Sequence, residues 1–114
     1  MYIAMNRFKV IKGCEADFET IWRTRQSYLS ELEGFVEFAL LKGPEREDHT
    51  LYASHTVWRS KENFTAWTQS EQFRKSHARA GQQNKPTSIG HPEFEGFEDV
   101  LIEHNSGKPS GAAE

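Results

Sequence analysis

From Tyr2 to Ile11 the chain alternates, with Tyr2, Ala4, Asn6, Phe8 and Val10 on one face and Ile3, Met5, Arg7 and Lys9 on the other. A period of two among β-forming residues predicts a strand whose two faces are both at least partly covered. Gly13 breaks it. Over residues 15–32 the apolar positions Phe18, Ile21, Trp22, Tyr28, Leu29 and Leu32 share one helical face, which predicts a single amphipathic helix stopped by Gly34. Residues 35–42 form an almost unbroken apolar run ended by Gly43-Pro44, and residues 51–59 form a second β-rich run. The polar, charged loop between these runs predicts a hairpin.

Ser60 is placed as a helix N-cap, with Glu62 in the first turn to complement the dipole and Phe64 and Trp67 on one face. Ser70-Glu71 repeats the start signal, and Phe73, His77 and Ala80 then share a face, so two short helices in tandem are expected. Residues 80–92 are polar and punctuated by glycine and proline, which predicts a mobile flap. Residues 94–104 return to β chemistry, and residues 105–114 are a small-residue tail expected to be disordered. Strand, helix, two strands, helix pair and strand make a ferredoxin-like split β-α-β domain of the α+β class over residues 1–104. Its helices would lie on one face of four antiparallel strands. The opposite face is too apolar for water, because residues of both parities between Phe35 and Leu41 are hydrophobic. A second copy would cover it, and the expected assembly is a homodimer.

Composition narrows the class of protein further. The 114 residues suffice for one core, and 36% hydrophobic with 27% charged residues exclude a disordered or collagenous chain. No apolar run approaches the ~20 residues of a bilayer span. A net charge of -3 offers no global attraction to nucleic acid or an anionic membrane. The single cysteine, Cys14, cannot form an internal disulfide and has no companions for a zinc site. The first residues carry no export signal, so a cytoplasmic location is expected and Asn63-Phe64-Thr65 is not read as a glycosylation acceptor.

Four residues break the expectation for their place. Asn6 puts an amide in an apolar strand face, where an unpaired amide costs about 1–3 kcal/mol. It must hydrogen-bond either a neighbouring loop or something bound between sheet and helices. Arg25 falls on the apolar stripe of the first helix, and its guanidinium either snorkels past the rings or meets a ligand carboxylate. Trp67 serves as core filling or as a flat surface for a flat aromatic ligand. His77, one turn beyond Phe73, is either a satisfied core histidine or a ligand whose neutral imidazole suits haem iron. The other histidines, His49, His55, His91 and His104, lack the spacing of a helical zinc pair. Phosphate loops, a GxSxG elbow and a base for Cys14 are absent.

Asn6, the run Trp58-Arg59-Ser60-Lys61-Glu62-Asn63-Phe64-Thr65-Ala66-Trp67 and the run Ser70-Glu71-Gln72-Phe73-Arg74-Lys75-Ser76-His77 resemble the antibiotic-biosynthesis-monooxygenase superfamily. Within it they are similar to the IsdG-type haem-degrading monooxygenases, which fold as dimeric α+β barrels. The resemblance implies that His77 ligates haem iron, that Asn6 hydrogen-bonds near the distal face and that Trp67 presses on the porphyrin and distorts it. It implies that Arg25 contacts a haem propionate. Haem would then be cofactor and substrate together, opened by O2 with electrons from a reductase or small-molecule reductant to release iron and a linear tetrapyrrole. Two rivals share the sequence features: a cofactor-free quinol or polyketide monooxygenase, and a non-enzymatic haem carrier.

Overall fold

The computed structural model describes residues 1–25, 27–80 and 86–105, the side chains of residues 76–80 excepted. Four strands, β1 (Tyr2–Ile11), β2 (Phe35–Glu45), β3 (His49–Trp58) and β4 (Glu93–Glu98), form one antiparallel sheet in the order β2-β3-β1-β4. Helix α1 (Glu15–Thr24) connects β1 to β2, and α2 (Lys61–Thr68) and α3 (Glu71–Ala80) connect β3 to β4. This is the expected ferredoxin-like α+β architecture. Both predicted caps form: the Ser60 hydroxyl accepts from the Asn63 amide at 3.2 Å and the Ser70 hydroxyl from the Phe73 amide at 3.1 Å.

Three boundaries, and the flap, depart from expectation. The helix predicted over residues 15–32 ends at Thr24; Arg25 is extended (φ −69°, ψ 153°), and Leu29–Glu31 form a separate 3-10 turn. The periodic stripe serves two destinations, since Phe18 packs with Val10 and Tyr52 whereas Leu29 packs with Tyr2, Ala4 and Trp58. The chain bends between them so that both clusters are filled. Strand β2 runs past Gly43-Pro44 to Glu45, because Pro44 falls at a register shift on an edge strand, where a missing N–H interrupts no ladder. Strand β4 stops at Glu98, where its ladder with β1 ends at Tyr2↔Glu98, and Val100 and Leu101 stand 98% and 78% exposed. The expected flap is tied down where it is described: the Ile11 amide donates to Thr87 O, the Ile89 amide to Lys9 O, and Ser88 bridges to Val10. Residues 81–85 and 106–114, with the rest of the flap and most of the tail, lie outside the described residues.

The sheet's two faces differ as the alternation predicts. Tyr2, Ala4, Asn6, Phe8 and Val10 share the helix-covered face with Tyr52, Ser54, Thr56 and Trp58 of β3. The opposite face carries Ile3, Met5, Leu51, Ala53, Val57, Leu41 and Phe97, with Leu41 and Phe97 nearly half exposed. Among the described residues no helix is long and apolar enough to cross a membrane.

Candidate active site

The register sets the floor beneath the helices. Cross-strand rows on the helix-covered face read Glu98–Tyr2–Trp58–Phe35, then Gly96–Ala4–Thr56–Phe38, then Phe94–Asn6–Ser54–Leu40. Large rings fill the first row and small side chains the middle of the next two. Helix α1 covers the floor on one side through Phe18 and Trp22, whose rings lie 5.3 and 5.7 Å from that of Phe8. Helix α2 covers it on the other through Phe64, 5.3 Å from Tyr2 and 6.1 Å from Trp58.

Asn6 occupies the seam between these coverings. It is half-buried, with Ser54 on one side and Phe94 on the other, and within the described residues its amide has no hydrogen-bond partner. Phe94 points to the helix-covered face in register with Asn6, yet it remains 49% exposed. The floor is therefore open beside Asn6 on its β4 side, whereas Ala4, Ser54 and Thr56 next to it are buried. Phe94 stacks on Phe64 (5.7 Å between centroids, 8° between planes), and Phe64 leads to Trp67 at 6.0 Å. Trp67 is gripped on further sides, stacked on Trp58 at 5.5 Å and edge-on to Phe73 at 4.8 Å. Such an aromatic cluster holds the indole rigidly, because each ring pair contributes about 0.5–1.5 kcal/mol beyond area burial.

The other two candidates stand differently. His77 lies on α3 one turn after Phe73, and its side chain is outside the described residues. Arg25 sits just past the end of α1, not inside it, and lays its guanidinium against Trp22 and Phe38, 4.8 Å from each centroid. Its Nε is buried without a hydrogen-bond partner among the described residues, and desolvation pulls the group below its ordinary arginine value. Thus Asn6 and Trp67 are joined through Phe94 and Phe64 on the β4 side of the floor. Arg25 stands toward β2, where Phe38 lies two strands across from Ala4.

Two features escaped the sequence reading. Phe94 carries a parity signal, sharing its face with Gly96 and Glu98, but only the register brings it beside Asn6. The Tyr52 hydroxyl donates to Glu19 Oε2 at 2.5 Å, and burial together with that carboxylate pushes the phenol far above its ordinary value. Those partners are 33 residues apart and nothing local announces them. Among the described residues no three His, Cys, Asp or Glu side chains gather as a metal site.

Sheet order and tandem helices define a small ferredoxin-like α+β domain, and residues 1–79 match the family model for antibiotic biosynthesis monooxygenase. The chain belongs to that family. It is 32% identical over 87 residues to the haem oxygenase (staphylobilin-producing) 1 of Staphylococcus aureus, a match covering 76% of this chain and 80% of that protein. It is similar to the structure of the heme-degrader MhuD of Mycobacterium tuberculosis with two hemes bound in its active site (27% identity, TM-score 0.69, 91% of this chain and 100% of that one). The fold is shared with SnoaB, a cofactor-independent oxygenase from Streptomyces nogalater (24% identity, TM-score 0.62, 89% and 94% covered).

Proposed function

We propose that this protein is a haem-degrading monooxygenase acting on haem as substrate and cofactor together. The observation that carries the reading is the Asn6 amide, without a partner among the described residues, at the margin of the floor that opens toward β4, with an aromatic wall of Phe94, Phe64 and Trp67 beside it. The donor set fits a haem: a flat apolar body would meet the rings, and an anionic edge would meet the buried Arg25 Nε, which has no partner among the described residues. Bound haem supplies the iron at which O2 is reduced with electrons from an external donor, and its ring is the part opened to a linear tetrapyrrole.

The chain's own groups divide the remaining tasks. His77, on the helix docked through Phe73, would hold the iron by an imidazole nitrogen. Asn6 would offer its free N–H as a donor to the bound group, worth most where water is excluded. Trp67 is braced by Trp58, Phe64 and Phe73, so a planar ligand pressed against it bends before the indole moves. Arg25 receives a propionate. A homodimer completes the reading, since Ile3, Met5, Leu51, Val57 and Phe97 leave the second sheet face apolar and uncovered. Residues 1–104 are the functional domain, and its setting is the cytoplasm.

The test is reconstitution with haemin, followed in the Soret band, then reductant and O2. Binding followed by bleaching is the expected result, and His77→Ala abolishes both the histidine-ligated spectrum and the bleaching. Binding without bleaching identifies a haem carrier, and absence of binding identifies a cofactor-free oxygenase; either outcome overturns the proposal. Sedimentation of a stable folded monomer at micromolar concentration overturns the dimer.

A further inference from the structure

The two most exposed large apolar side chains among the described residues follow β4 directly: Val100 is 98% and Leu101 78% exposed, and Ile102 after them is 47% exposed. Three consecutive aliphatic side chains in water mark a surface that another body covers. Their root is fixed, because the Asp99 amide donates to Met1 O at 3.1 Å and its carboxylate accepts from the N-terminal ammonium at 2.8 Å. The arm therefore leaves the sheet at a set place, the end of β4 beside the start of β1.

A recess of about 220 Å³ lies at the other end of the same two strands. Leu51 and Ile89 give it apolar surface, and Lys9, Glu93 and Arg7, the last paired with Glu95, stand around them. Arg7, Lys9 and Leu51 have the parity of Ile3 and Met5, so the recess opens on the sheet face that the helices leave bare. Ile89, 42% exposed, is held there by its amide, which donates to Lys9 O at 2.7 Å. The arm cannot fill the recess of its own chain. The six residues of β4, at about 3.4 Å each, keep the two roughly 20 Å apart.

A second copy resolves this. A two-fold axis midway between two facing sheets, perpendicular to the strands and crossing β1 near Met5, exchanges the two ends of the strand pair. It brings the arm of each copy to the recess of the other, packs Ile3 and Met5 against their own counterparts and turns Glu103, just after the arm, toward the partner's Lys9. Both halves of the contact are present on one chain, as an isologous interface requires.

We infer that residues 100–102 are an exchanged arm, seated in a homodimer against Leu51 and Ile89 of the partner subunit. The inference rests on the homodimer proposed above, assigns the segment and the recess that hold it together, and does not depend on haem.

Crosslinking tests it. A chain carrying Leu101→Cys and Ile89→Cys, with Cys14→Ala to remove the native thiol, is oxidised and run on a non-reducing gel. A covalent dimer is expected, since a disulfide needs Cα atoms within about 7 Å and the two positions are too far apart within one chain, whereas each single cysteine variant stays uncrosslinked. Leu101→Asp and Ile89→Asp, both at exposed positions, each weaken dimerisation about 100-fold or more in sedimentation, because a symmetric contact is lost twice. Circular dichroism checks their folding; should either not fold, the crosslink decides alone. A parent dimer that both aspartate variants leave intact, a double-cysteine chain that stays monomeric on the gel, or single variants that crosslink equally well overturn the exchange and leave the homodimer standing. A parent that sediments as a monomer at micromolar concentration overturns both. Haemin titration reads the haem proposal separately.

Discussion

Replacing Arg25 by leucine separates what this side chain does for the fold from what it does for a ligand. In the apo protein the guanidinium gains cation–π attraction from Trp22 and Phe38, together about 1–2 kcal/mol at partly exposed sites. Against this stands the buried Nε without a partner among the described residues, whose desolvation costs about 1–3 kcal/mol. Leucine keeps most of the aliphatic contact with the two rings and removes both contributions. The net change in apo stability is therefore within about 1 kcal/mol of zero, a shift in midpoint temperature of no more than about 4–8 °C for a domain of this size. Haem binding behaves otherwise. If a propionate meets the guanidinium, its loss removes a charge-assisted hydrogen bond of about 1–3 kcal/mol, or about 5- to 150-fold in affinity. Urea unfolding measures the first quantity and haemin titration the second. Haem dimethyl ester closes the cycle, binding the parent less well by a similar factor and the variant with little further loss. The reasoning fails if the variant loses more than about 3 kcal/mol of apo stability, which makes Arg25 a structural clamp. It fails equally if esterification and substitution are additive.

Asn6→Ala binds haemin with near-parental affinity and degrades it slowly, because a donor that acts on the reacting oxygen shows in rate more than in binding; single-turnover bleaching measures this. Gly34→Ala destabilises by about 2–3 kcal/mol in urea, since φ of 84° is costly for alanine and the added carbon collides with the Asn63 side chain, whose Oδ1 accepts from the Ser60 hydroxyl. Hydrogen bonding from the Thr50 hydroxyl at 2.7 Å, joined by the Gly13 amide, holds the Glu15 carboxyl below its ordinary value. Its contribution to stability is fully present above the ordinary carboxylate value and is lost as pH falls through the lowered one; unfolding midpoints from about pH 7 to 3 show Glu15→Gln converging on the parent at the acid end.

Local chemistry determined much of this protein. The alternation from Tyr2 to Ile11 set the first strand and its helix-covered face, the hydroxyls of Ser60 and Ser70 set two helix starts, and the apolar runs set the hairpin. Each of these depends on neighbours within a few residues, so the sequence carries it directly. Asn6 was legible for the same reason, as an amide out of place on an apolar face. The tertiary structure decided where α1 ends, because Phe18 and Leu29 share one periodic stripe but fill separate clusters built from distant strands. It decided that Arg25 lies over Trp22 and Phe38, that Phe94 stands half exposed beside Asn6, and that Tyr52 meets Glu19 across 33 residues. Periodicity specifies which face a side chain takes. Which partner it finds there depends on strand order and register, and those are settled by the packing of the whole chain.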